Sequence, residues 1–82
     1  MPKTWPEVAQ TRDEKLFFLG FTIDPEKPWR SVDGLAYELS WPVDTVAGLV
    51  DRFAKMGLLV QSPSNPKLWG YWERVKRETE QP

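Results

Sequence analysis

Apolar positions fall into three stretches with helical spacing and then two with strand spacing. The first is the run Leu16, Phe17, Phe18, Leu19 and Phe21, directly behind "TRDE" at 11–14. That tetrapeptide matches the Thr-x-x-Glu capping box, in which each side chain satisfies the other residue's free backbone N–H. The pattern predicts a helix over about 12–21. "TWPE" at 4–7 repeats the box and allows a short turn before it. "DPEKPW" (24–29) carries prolines at 25 and 28 and reads as a loop. Ser31 is a suitable N-cap for a second helix over about 32–40, with Val32, Leu35, Ala36 and Leu39 facing inward. "SWP" (40–42) ends it, because a residue preceding proline disfavours helical backbone. A third helix follows over about 43–56, burying Val46, Leu49, Val50 and Phe53, and Gly57 stands where a left-handed cap is wanted. "LLVQ" (58–61) and "KLWGYWERV" (67–75) then read as two strands joined by the turn-rich "SPSNP" (62–66).

The expected fold is mainly α with a small β hairpin. Its core should hold Phe17 or Phe18, Leu19, Leu35, Leu39, Val46, Leu49, Val50 and Phe53. With 82 residues the chain has room for one core, so a single domain over 12–75 is expected. An N-terminal segment (1–11) precedes it, and the polar tail "KRETEQP" (76–82) follows it as a flexible end.

Composition narrows the function more than the fold. There is no cysteine and no histidine, which removes disulfides, a conventional zinc site and the usual general base. No phosphate-cradling glycine pattern occurs, and no cofactor is expected. Asp44 and Asp51 lie two helical turns apart on an outer face, too far apart for concerted acid–base work. The expectation is therefore a protein that is not an enzyme. No apolar run reaches the roughly 20 residues of a membrane span. The start "MPKTWPEV" lacks the apolar middle of a signal peptide, so a cytoplasmic location is expected. Eleven basic and twelve acidic residues leave a net charge of −1, without the basic excess of a dedicated nucleic-acid binder. Five tryptophans in so short a chain suggest a core that leans on their area, with at least one indole exposed.

The stretch "SVDGLAYELSWPVDTVAGLVDRFAKMGLLV" (31–60) resembles the helix-turn-helix core of the winged-helix superfamily. The resemblance rests on Leu35-Ala36 and Leu39 in the second helix, Thr45-Val46 in the third, and the spacing onward to "KMGLL" (55–59). The proline-rich hairpin sits where such proteins carry their wing. The resemblance covers about residues 12–75 and implies a three-helix core, a two-stranded wing, and a third helix that enters the major groove of duplex DNA.

The outward stripe of that third helix is Asp44, Ala47, Gly48, Asp51 and Lys55. Base reading in the major groove needs Arg, Asn or Gln, and carboxylates near phosphate are repelled. Any DNA contact should then come from Thr45, Arg52 and Lys55 on the helix, with Asn65, Lys67 and Arg74 on the wing. The segment 61–77 is the one clearly positive part of the chain, with Lys67, Arg74, Lys76 and Arg77 against Glu73. Two readings follow. The first is a small regulator of the DNA-binding, transcription-regulator type with weak contact to duplex DNA that is independent of base sequence. The second is a winged helix that has lost DNA binding and meets a protein partner, or a second copy of itself, through Asp44, Ala47, Gly48 and Asp51. The superfamily favours the first and the helix face favours the second.

Overall fold

The computed structural model describes residues 3–75. The expected flexible tail, with Lys76 and Arg77, lies outside the described residues. The elements run α1 (Trp5–Val8), α2 (Arg12–Thr22), β1 (Trp29–Ser31), α3 (Val32–Leu39), α4 (Val43–Lys55), β2 (Leu59–Gln61) and β3 (Leu68–Tyr71). The three strands form one antiparallel sheet in the order β1-β3-β2. The chain is thus a helix-rich domain with a small antiparallel sheet. No helix among the described residues is long and apolar enough to cross a membrane.

The local signals explain most boundaries. Thr11 Oγ1 accepts from the Glu14 N–H at 3.1 Å, and Glu14 Oε1 accepts from the Thr11 N–H at 3.1 Å, closing the capping box of α2. Ser31 Oγ accepts from the Gly34 N–H at 3.0 Å and caps α3. Gly57 takes φ 82°, and the Gly57 and Leu58 N–H groups donate to the Ala54 and Phe53 carbonyls, finishing α4 with a left-handed cap. The α3–α4 turn uses the same device without glycine. Ser40 adopts φ 59° while the Trp41 N–H donates to the Ala36 carbonyl at 3.0 Å. Left-handed backbone at a serine is uncommon, so this turn ends α3 more sharply than the following proline alone requires.

Two expectations for the sheet need correction. Trp29 is not loop: it opens β1, and Trp29-Arg30-Ser31 pairs with Gly70-Trp69-Leu68. The strand is too short for an alternation to register, and its partner lies far along the chain. The returning strand also stops early. The Trp72 N–H makes a last bond to the Leu58 carbonyl at 3.0 Å, after which 72–75 coil into a helical turn that buries Val75. Gly70 makes this bend possible, since a Cβ there would stand 2.7 Å from Val75 Cγ1 and 2.9 Å from Trp29 Cε3.

The core sits where α2, α3 and α4 meet the sheet. Phe17, Phe18, Leu35, Val46, Val50 and Phe53 are buried as expected, joined by Phe21, Leu58, Leu59 and Tyr71. Phe18 lies 4.6 Å from Phe53 by ring centroids and Phe17 5.4 Å from Phe18, so the aromatic rings hold α2 against α4. Leu39 and Leu49 are half-buried at the margins of the core and Leu19 is half-buried, none of them in the centre as expected. The described part of the N-terminal segment, residues 3–11, packs on the core. Trp5 stacks on Phe18 at 6.0 Å, its N–H donates to Tyr71 Oη at 2.8 Å, and Ala9 is buried. Burial pushes the Tyr71 hydroxyl above its ordinary pKa, against the opposing pull of the Trp5 bond.

Candidate interaction face

Helix α4 presents an unusually bare outer surface. Its inner residues Val46, Val50 and Phe53 are buried, which turns Asp44, Ala47, Gly48, Asp51 and Lys55 to solvent. Around Gly48 there is open space: a Cβ built there meets no other atom within 4 Å. Nothing inside the domain therefore demands glycine at this place, in contrast to Gly20, where a Cβ would press on Leu35 Cδ1 at 2.4 Å.

Beside this face runs an open groove of about 640 Å³ between the start of α2 and the first three turns of α4. Trp41, Pro42 and Leu49 give it apolar lining, and Asp13, Asp44 and the Glu14–Arg52 pair line it with charge. Trp41 also lines a shallow depression on its other side, next to Tyr37 and Val43. Both of those are exposed, Tyr37 at 89%. Trp41 thus borders two depressions, and apolar residues continue from α3 around the turn to α4.

The cations of the helix are engaged by its own fold. Arg52 forms an ion pair with Glu14 and lies over the Phe53 ring at 4.7 Å. Glu14 is buried, its side chain only 8% exposed, and also accepts from the Gln10 N–H at 2.9 Å. Those backbone donors at Gln10 and Thr11, reinforced by Arg52, hold its carboxyl below the ordinary value despite burial. Lys55 pairs with Asp51 one turn back at 3.0 Å. Asp13 and Asp44 have no ion pair among the described residues. Thr45 is exposed in the first turn of α4 and lines the groove.

On the hairpin, Ser62 Oγ accepts from the Ser64 and Asn65 N–H groups, and Asn65 Oδ1 accepts from the Lys67 N–H at 3.1 Å. These bonds fix the tip and leave the Lys67 side chain exposed beside Asp33 and Trp69. Arg74 is placed elsewhere. It donates to the Thr22 carbonyl at 2.5 Å, at the C-terminal end of α2. Arg30 joins it there, donating to the Gly20 carbonyl at 2.8 Å and pairing with Glu38. Helix α2 carries no basic residue in its own last turn, and these two arginines supply the positive charge that its carbonyl end favours. Arg52 and Arg74 therefore serve opposite ends of one helix; of the six residues read as DNA contacts, Thr45 and Lys67 make no side-chain bond among the described residues, whereas Asn65 Oδ1 is taken up within the tip itself. Sequence reasoning missed the Arg52–Glu14 pair because nothing local connects the two. The cation-free last turn of α2 was the available sign that other elements would supply its charge. No protein-family model, curated protein or solved structure matches this chain.

Proposed function

We propose that this chain is a winged-helix module that docks on a protein through the outer face of α4. The three helices α2, α3 and α4 followed by the β2–β3 hairpin support the winged-helix assignment, with α4 in the place of the groove-entering helix and the hairpin in that of the wing. One observation carries the functional reading. Arg52 is paired with the buried Glu14, Lys55 stands at the far end of the face in an exposed pair with Asp51, and the centre of the face is Asp44, Ala47 and Gly48. Such a surface offers no paired donor to a base edge and repels the DNA backbone. Fold alone does not decide function, so the helix face outweighs the usual activity of the superfamily. No step of catalysis is assigned.

A second reading has one observation in its favour. Lys67 and Asn65 stand exposed on a tip braced by its own hydrogen bonds, a geometry suited to phosphate. It predicts weak duplex binding that is independent of sequence.

A titration of the ¹⁵N-labelled protein with random duplex DNA at low salt tests both. The protein-docking reading expects the α4 amides of Asp44, Thr45 and Gly48 to stay unshifted. Shifts confined to 62–68, with a salt slope of about −0.9 per phosphate contacted, favour the second reading. Shifts on α4, or protection of one defined sequence at physiological salt, would overturn the docking proposal.

A further inference from the structure

The groove and face described above also restrict what the occupant is. Resting on the protein-docking reading, we infer that the partner presents a basic amphipathic helix, its small or apolar residues set against Gly48 and Leu49 and its lysines or arginines reaching the carboxylates of Asp13 and Asp44.

Three features point to this occupant. Trp41, Pro42 and Leu49 give the groove its apolar lining, and Trp41 also lines the neighbouring depression, so the site suits an aliphatic or cationic side chain laid against an indole. Open space at Gly48, with Ala47 beside it, lets a second backbone approach closely, as a rod-shaped partner requires. The lining carboxylates add the sign of the charge. Glu14 is already matched by Arg52, whereas the carboxylates of Asp13 and Asp44 are exposed and without an ion pair among the described residues. A partner bearing cations gains from both, and an acidic or phosphate-bearing one is repelled.

A second copy of this chain fits less well. A two-fold axis through Gly48 would pack the two α4 helices antiparallel and set Asp44 against position 52 of the other copy, whose arginine is already paired with Glu14, so Asp13 and Asp44 would gain no free cation. Contact between this face and some basic part of another copy would be head-to-tail and would not close on itself.

The test uses two synthetic helices of about 18 residues, long enough to hold helical structure. They share one alanine–leucine face and differ at the flanks, with lysine and arginine in one and glutamate in the other. Each is titrated into the ¹⁵N-labelled protein. The basic peptide is expected to shift the Trp41 indole N–H and the amides of Asp44, Thr45 and Gly48, and the acidic peptide to leave them in place. Gly48→Arg should abolish the shifts. Joint reversal of Asp13→Lys and Asp44→Lys should weaken binding by about tenfold, as two lining charges change sign. The dispersed spectrum of each variant reports that it is folded. Equal shifts from both peptides, shifts on another surface, or none from either would overturn the inference. The docking reading itself is tested separately by the duplex-DNA titration, so the two failures are distinguishable.

Discussion

Gly48→Ala is expected to stabilise this domain, although glycine-to-alanine changes elsewhere in it should not. The position lies inside the helix Val43–Lys55, away from both ends, and the added methyl meets nothing within 4 Å. The change therefore brings only the difference in helix propensity, about 0.8–1.0 kcal/mol, most of it from the freedom glycine has in the unfolded chain. For a domain of 60–100 residues, 1 kcal/mol moves Tm by roughly 4–8 °C. A rise of about 3–8 °C should appear in a thermal melt followed by far-UV circular dichroism. Gly20→Ala is the internal comparison. It gains the same propensity, but its methyl would stand 2.4 Å from Cδ1 of Leu35, a fully buried side chain that would have to shift within the core. Overpacking typically costs about 1–3 kcal/mol, so the net effect should be neutral to destabilising. If Gly48→Ala lowered Tm, something would already be occupying that open space in solution. The picture of a bare α4 face awaiting a partner would then be wrong.

Glu14→Gln should cost about 1.5–3 kcal/mol, the worth of charged hydrogen bonds, measured by urea denaturation at neutral pH. Because the Glu14 carboxyl is held below 4.5, its contribution is present above that pH and is lost as the pH falls through the folded-state value; acid titration of the variant should lack this component. Tyr71→Phe leaves the Trp5 N–H without its acceptor and should cost about 1–3 kcal/mol, with faster hydrogen exchange at that amide. The raised Tyr71 pKa means that stability should also decline above about pH 10, as the unfolded chain ionises first. Phe53→Ala removes a fully buried ring packed on Phe17 and Phe18, and should cost about 3–5 kcal/mol by the same denaturant assay.

Local chemistry carried most of the fold into plain view. Thr11, Ser31 and Gly57 mark their helix ends through bonds made within a few residues, and Val46, Val50 and Phe53 mark the inner face of α4 by period alone. What stayed hidden depends on residues remote from one another. β1 exists because Gly70 leaves space for the Trp29 ring, and neither residue announces the other. Leu49 keeps the inward period yet ends half-buried, because the groove beside α2 opens at its flank. The candidate face divides along the same line. The exposed stripe of α4 follows from periodicity. The engagement of Arg52 by Glu14 and of Arg74 by the Thr22 carbonyl follows only from how α2 is seated.

The bonds that tie the start of the described chain to its end have a topological consequence. Trp5 N–H reaches Tyr71 Oη, and Trp72 Nε1 donates to the Lys3 carbonyl at 3.2 Å, so entry and exit lie side by side. A short linker from residue 75 to residue 3 would close the backbone into a ring with little displacement, and the exposed prolyl loop at 25–27 offers a place to reopen it. The permuted chain would keep every helix cap described above, and it could be spliced into a surface loop of a host protein with the α4 face still displayed.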